Sequence, residues 1–460
     1  MAENLFPEFE PVSSKQWKQR IQFELKGADY NETLIWNSPE DIKVKPFYHA
    51  DENTKRLSVQ TRATQFKIGQ DIFVHDLEKS IWRANDSIDR GAESIRFTIA
   101  DEQMDVRKLL LSLPLEKVWV HFDLKFLSID FVKQIDQVAI EKKTLIFCHL
   151  DPIGQLTADG NWFKNSDNNN FDTLNKISNE TTAVSFLSID VGLYQNSGAN
   201  AVQQVAYALS HANEYLNRIS AIKKPMVFNV AVGTNYFFEI AKLRALRSLF
   251  RIIAKEYGHD LDCHIVATPT KRNKTIYDYN VNMLRTTTEC MSAVLGGADT
   301  IVNLPYDVLY HKSNEFGERI ARNQLLVLKN ESYFDKVDNP CDGSYYIESL
   351  TTQIAEKALT LFKEMESNGG FLVKLGEGII QKKINESAEK EQQLFDSSKE
   401  ILLGTNKYPN KNDRMAQDLE LFPFVKNKSR KTLISPVIPK RLAEKLEQDR
   451  LESEKNKPSE

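Results

Sequence analysis

Short runs of β-branched and aromatic residues recur along the middle of the chain. Seven of these runs have the length of a strand, and their first residues lie about 25 to 40 positions apart. Most of the stretches between them repeat apolar residues with helical spacing, as Val202, Val205 and Leu209 do. The seven predicted strands are residues 94–99, 118–122, 144–148, 183–189, 225–230, 263–267 and 300–303.

Strands that alternate with helices favour a parallel sheet joined by helical crossovers. Seven or eight such units in about 250 residues are typical of a (β/α)₈ barrel rather than of an open sheet. The eighth strand is predicted at residues 344–347. We therefore expect an α/β protein in three parts: an N-terminal arm with the segment that leads into the barrel (1–90), the barrel (91–350), and a C-terminal helical extension with a tail (351–460).

The N-terminal arm contains one clear helix signal. Ser14 is placed to cap the helix and Gly27 to end it. Trp17, Ile21 and Leu25 form an apolar stripe along this helix. We expect the stripe to bury either against the barrel or against a partner.

The composition narrows the class of protein. Of the 460 residues, 41% are hydrophobic and 27% are charged, which is enough to bury a large core. The 60 Lys and Arg residues against 64 Asp and Glu residues leave a net charge of -4, which argues against a protein built to grip nucleic acid. The sequence has no apolar run of membrane-spanning length and no signal-peptide pattern at its N-terminus. We expect a cytoplasmic protein with no membrane partner.

The cysteines and the short sequence motifs indicate no specific chemical activity. Cys148, Cys263, Cys290 and Cys341 are scattered without a C-x-x-C pair, so we expect buried free thiols in a reducing compartment. The phosphate-binding, dinucleotide-binding, zinc-protease and nucleophile-elbow motifs are absent. The sequence predicts no resident metal.

Two histidines lie at or near the ends of predicted strands. His121 and His149 each have an acid two residues further on, Asp123 and Asp151. At the C-terminal mouth of a barrel such residues could form a metal site or an acid–base pair. Hydrogen-bonded structural histidines are the alternative. His264 lies within an apolar strand and is expected to be a core histidine whose hydrogen bonds are satisfied.

A short basic cluster follows the strand predicted at residues 263–267. It consists of Lys271, Arg272, Asn273 and Lys274. These side chains could face a phosphate. A solvated loop is the alternative.

Five longer segments, in the same order along the chain, resemble the methylmalonyl-CoA mutase family. Residues 36–48 resemble the segment that leads into the family's barrel. The others resemble N-F-F-x-E-[IV]-A-K-L-R-A (233–245), R-x-x-x-E-A-M-A-A (285–293), R-I-A-R-N (319–323) and G-S-Y-Y-[IV]-E (342–348). The resemblance covers nearly the full length. It implies a barrel followed by a cobalamin-binding domain, and the radical interconversion of (R)-methylmalonyl-CoA and succinyl-CoA.

The positions that carry the family's chemistry differ in this chain. Catalytic members have S-x-x-x-Y-H-x-Q-E-A-G-A, where this sequence has Gly192 for the tyrosine and Leu193 for the histidine. Asp71 stands where R-P-W-T-I-R-Q-Y ends in the reactive-site tyrosine, and Val266 replaces the histidine of H-S-Q-T-S-G. Leucine neither donates a hydrogen bond to a thioester nor transfers a proton.

The family's cobalamin signature is also missing. D-x-H-x-x-G, whose histidine becomes the lower cobalt ligand, does not occur in the sequence; the nearest string, residues 262–267, lies in a predicted strand and lacks the glycine. About 50 residues follow a segment at 401–408 that resembles V-G-V-N-K-Y, which is short for a doubly wound domain. We expect this chain to bind no cofactor itself.

These features imply the non-catalytic small subunit of a heterodimeric methylmalonyl-CoA mutase, inactive on its own, with adenosylcobalamin in the partner large subunit. No catalytic, cofactor-binding or metal-binding residue is assigned to this chain. A free-standing acyl-CoA-binding or regulatory barrel protein is the alternative, in which Lys271 and Arg272 would meet CoA phosphates. A third interpretation, an active mutase completed by a separately encoded cobalamin domain, conflicts with Asp71, Gly192 and Leu193.

Overall fold

The strands of the protein form one parallel barrel and a small hairpin beside it. The computed structural model describes residues 8–52, 57, 59–164, 166–426 and 430–455. In chain order the strands are β1 (Trp36–Asn37), β2 (Lys43–Val44), β3 (Lys67–Val74), β4 (Ser94–Ile99), β5 (Trp119–Leu124), β6 (Ile146–Leu150), β7 (Val184–Asp190), β8 (Met226–Val232), β9 (Cys263–Pro269) and β10 (Thr300–Val302).

Eight of these strands close on themselves. Each strand from β3 to β10 pairs in parallel with the next, and β10 pairs with β3. The β1 and β2 strands form the separate antiparallel hairpin. Helical crossovers connect the barrel strands, so the predicted (β/α)₈ fold is confirmed.

Helices surround the barrel and continue beyond it. In the described part of the chain, none of them is long and apolar enough to cross a membrane. They are α1 (Ser14–Glu24), α2 (Tyr30–Leu34), α3 (Leu77–Asp89), α4 (Val106–Leu111), α5 (Ile129–Lys142), α6 (Pro152–Asp159), α7 (Asp167–Glu180), α8 (Val191–Asn196), α9 (Ala201–Arg218), α10 (Tyr236–Glu256), α11 (Val281–Leu295), α12 (Glu315–Asn330), α13 (Tyr345–Ser367), α14 (Gly370–Gly376), α15 (Ile379–Asp396) and α16 (Glu444–Lys455).

Seven predicted strands are confirmed as β4 to β10, but the eighth prediction was wrong. Residues 344–347 begin α13, with Ser344 as the residue that precedes its first turn. The eighth strand is β3, which lies within the stretch predicted as the N-terminal arm. Its inward positions include Gly69 and Asp71, so it lacks the continuous apolar run of its neighbours.

The terminal helices lie close to their predicted places. Ser13, rather than Ser14, caps α1 through its hydroxyl, which accepts a hydrogen bond from the Gln16 backbone N–H. No residue of α1 is buried, and Trp17 packs on Phe47 with ring centroids 5.7 Å apart. Within the stretch predicted as a C-terminal helical extension with a tail, α16 ends at Lys455, and residues 456–460 lie outside the described residues.

The two faces of each barrel strand are buried in different parts of the protein. Outward side chains pack with the helices in one large core that includes Ile72, Phe97 and Phe122. Inward side chains fill the lumen of the barrel, where Phe147 packs against residues of other strands. The four cysteines are buried and free, as predicted.

Replacing Gly69 by alanine is expected to lower the free energy of unfolding by about 1–3 kcal/mol. A Cβ at this inward position of β3 would lie 2.6 Å from Val302 Cγ2 and 3.1 Å from Thr300 Cγ2. Both neighbours are β-branched and have little rotamer freedom to move away. Urea unfolding of the variant measures the change. Gly376→Ala in α14 is the control, because no atom lies within 4 Å of its added Cβ; equal stability of the two variants would contradict the expectation.

Candidate functional site

Polar side chains line the C-terminal mouth of the barrel. Successive side chains of a strand alternate between its two faces, so the residues next to the outward core positions face the lumen. Binding and catalytic groups of (β/α)₈ proteins lie at this end of the strands. Six consecutive strands each contribute one polar residue here: Asp71, Arg96, Asp123, His149, Asp190 and Asn229.

Asp71 and Arg96 form a two-pronged ion pair between neighbouring strands. The guanidinium donates from Nε and Nη2 to the two carboxylate oxygens, each at 2.7 Å. Burial alone would lower the pKa of Arg96, but the Asp71 carboxylate outweighs it and the pKa is raised. The acid at the family's tyrosine position is therefore held by a cation of the same barrel.

His121 and His149 are brought together, but not by an acid. His121 Nδ1 lies 3.0 Å from His149 Nε2, and His149 Nδ1 lies 3.2 Å from the side-chain nitrogen of Asn229. Burial lowers the pKa of both imidazoles well below the usual value, so both are neutral. The geometry matches the structural alternative, since a chain of neutral hydrogen-bonding groups crosses the lumen.

Aromatic rings occupy the lumen below this chain. The His264 ring stacks on Phe147 with centroids 4.2 Å apart, and Phe147 stacks on His121 at 4.5 Å. Trp119 lies beside both rings, with its centroid 5.5 Å from that of His264 and 6.0 Å from that of Phe147. His264 is buried in the barrel interior, as predicted, but its Nε2 has no hydrogen-bond partner, so the expectation that this histidine is satisfied was wrong.

The two acids predicted to accompany these histidines are used elsewhere. Asp123 pairs with Lys125 at the rim. Asp151 accepts hydrogen bonds from Tyr215 at 2.6 Å and from His211 at 2.8 Å. In the described residues no cluster of three or more His, Cys, Asp or Glu side chains is arranged to hold a metal ion.

Gly192 and Leu193 lie in α8, the short helix that follows β7. The Asp190 carboxylate caps this helix by accepting a hydrogen bond from the Leu193 backbone N–H at 3.1 Å. The Leu193 side chain is buried in the main core. A Cβ at Gly192 would lie 3.2 Å from Asp190 Oδ1 and 3.5 Å from the Ala231 nitrogen, so the space for a larger side chain is tight.

Val266 extends the apolar part of the lumen. Its side chain packs with Phe147, Val227 and Val302, which come from three other strands. The position that aligns with a family histidine is thus part of the packing inside the barrel. No hydrogen-bonding group replaces that histidine at residue 266.

Two residues of the basic cluster after β9, Arg272 and Lys274, are buried in ion pairs and are neither solvated nor free to meet a phosphate. Lys274 is buried and pairs with Glu289 at 2.7 Å. Arg272 is buried and pairs with Glu391 at 2.6 Å, and its Nη1 donates to the Lys440 carbonyl at 2.7 Å. For Lys274 and Arg272, the prediction of a phosphate site and the alternative of a solvated loop were therefore both wrong. Of the four residues of the cluster, Lys271 alone stays exposed.

A cleft of about 1110 Å³ lies beside the mouth. The β1–β2 hairpin, the first residues of α9 and α10, and one side of α15 form its walls. Glu40, Glu239, Lys390 and Lys399 line it together, so charges of both signs are mixed over its surface. This lining favours no particular class of ligand.

Sequence reasoning missed three members of the polar mouth: Arg96, Asp190 and Asn229. Each lies on the inward face of a strand between outward apolar residues. The signal was present in the strict alternation of β4, where Ser94, Arg96 and Thr98 alternate with large apolar residues. Once the strands are known to close a barrel, such a residue near a strand's end points into the mouth.

These features define a (β/α)₈ barrel protein with a ring of polar side chains at its mouth and a helical extension after the barrel. Comparison with known proteins adds the family. The chain belongs to the methylmalonyl-CoA mutase family, with residues 99–449 matching the family described by that name.

Three relatives show how the match is distributed. The methylmalonyl-CoA mutase small subunit of Porphyromonas gingivalis is 34% identical over 450 residues, covering 89% of this chain and 71% of the relative. The large subunit of the same organism is 33% identical over 236 residues, covering 48% of this chain and 33% of the relative. A probable mitochondrial methylmalonyl-CoA mutase of Caenorhabditis elegans is 26% identical over 473 residues, covering 89% of this chain and 63% of the relative. The chain is thus a homologue of the small subunit and spans less than two thirds of the longer enzymes.

The residues present do not fit the cobalt-ligand role that the resemblance raised for one histidine. The string nearest to D-x-H-x-x-G ends in β9, where His264 is stacked on Phe147 inside the barrel. His264 is buried among the side chains of the lumen, so it could not serve as a ligand to a cobalt ion.

Proposed function

We propose that this chain is the non-catalytic small subunit of a heterodimeric methylmalonyl-CoA mutase. Its partner is the large subunit, which holds adenosylcobalamin and interconverts (R)-methylmalonyl-CoA and succinyl-CoA. The role of this chain is to bind and support that subunit.

The main support for this proposal is the set of side chains at the mouth of the barrel. Catalytic relatives place a tyrosine and a histidine where this chain has Gly192 and Leu193, and Leu193 is packed in the core. Asp71, at the place of a second tyrosine, is bound by Arg96 through two hydrogen bonds. None of these groups is available to donate a hydrogen bond to a thioester carbonyl, which is the electrostatic task of such a site.

The relatives support the pairing. Porphyromonas gingivalis has both a small and a large mutase subunit, and this chain is similar to each. Homologous subunits share a fold, so they are suited to assemble around a two-fold axis or an approximate one. The longer match to the small subunit favours that role for this chain.

Co-expression tests the partnership. We expect this chain to co-purify with the large subunit of its own organism at a one-to-one ratio, and the complex to isomerise succinyl-CoA when adenosylcobalamin is supplied. Size-exclusion chromatography and mass determination give the composition. A chain that remains a stable monomer in the presence of the large subunit would contradict the partnership.

Activity of the isolated chain tests its lack of catalysis. Supplied with adenosylcobalamin and succinyl-CoA, the chain alone is expected to form no methylmalonyl-CoA, because Gly192, Leu193 and Asp71 leave the site without its proton donors. The co-purified complex, assayed in parallel, is the positive control. Turnover by the lone chain at a rate near that of the complex would refute the proposal.

A further inference from the structure

We draw no further inference here: the strongest candidate, the surface patch in which Tyr346 of α13 packs against Tyr48 and the half-exposed Phe237 of α10, is an apolar face, and nothing in the structure shows what covers it.

Discussion

Lys274→Met is expected to lower the free energy of unfolding at pH 8 by about 3–5 kcal/mol. Lys274 Nζ donates to the two Glu289 oxygens at 2.7 and 3.0 Å, and both side chains are buried. Asn273 donates to the same carboxylate at 2.7 Å. Removing the ammonium leaves a buried carboxylate with one neutral partner, and that unpaired charge is the source of the cost.

The stability lost in the Lys274→Met variant should become smaller as the pH is lowered. Burial raises the pKa of Glu289 above its usual value of 4.5 even with Lys274 present. Without Lys274 the folded state binds a proton more tightly than the unfolded chain does, so stability falls as the pH rises from 4.5 through the folded pKa. The deficit of the variant should therefore shrink as the pH is lowered from 8 toward 5. Urea unfolding at several pH values measures it.

A double variant separates the unpaired charge from the loss of packing. Lys274→Met/Glu289→Met removes both charges and should recover most of the lost stability, as apolar replacements of buried ion pairs commonly do. Lys383→Met is the control, because its pair with Glu386 is exposed and should contribute less than about 1 kcal/mol. A single variant as stable as Lys383→Met would show that the buried pair has no such role.

The barrel itself was predictable because seven strands repeat a strong local signal. Each has a run of β-branched and aromatic residues, and helical spacing fills the stretch before the next. The local signal did not identify β3, because Gly69 and Asp71 face the lumen of the barrel. Their identities depend on residues of other strands rather than on the sequence around them. Gly69 is small because Val302 and Thr300 lie over it from β10, more than 200 residues away.

The candidate site was predictable only where the chemistry is local. The placement of His149 near the end of its strand indicated the mouth of the barrel. His121, predicted at or near a strand end, lies in the middle of β5 instead, yet the structure puts the two rings within hydrogen-bonding distance. The pairing of Asp71 with Arg96 depends on the register of two strands, which the sequence does not state. The resemblance marked Asp71 as a departure, but not as half of an ion pair.

The basic cluster after β9 was also mispredicted because its environment is set by distant residues. Four polar residues in a row are typical of a solvated loop, and the local pattern contains nothing against that interpretation. Glu289 on α11 and Glu391 on α15 turn Lys274 and Arg272 inward. Buried ion pairs between distant elements are set by tertiary packing, so local sequence patterns do not reveal them.

Acidification from pH 7.5 to 5.5 is expected to destabilise the protein strongly through three lumen histidines. Burial lowers the pKa values of His121, His149 and His264 below the usual 6.5. As the pH falls below 6.5 the unfolded chain binds protons that the folded chain does not, so the free energy of unfolding decreases. The loss reaches up to about 1.4 kcal/mol for each histidine over this interval, or about 4 kcal/mol for the three.

His264→Phe isolates one of these contributions. Its ring stacks on Phe147 and one of its nitrogens is buried without a partner, so phenylalanine keeps the ring contact and removes an unsatisfied atom. The variant should stay within about 1.5 kcal/mol of the unmodified protein at pH 7.5. It should lose up to about 1.4 kcal/mol less stability on acidification. His75→Gln, at an exposed position after β3, is the matched control. Parallel acid profiles of the His264→Phe variant and the unmodified protein would mean that His264 takes up its proton in the folded barrel, which would contradict an enclosed, neutral ring.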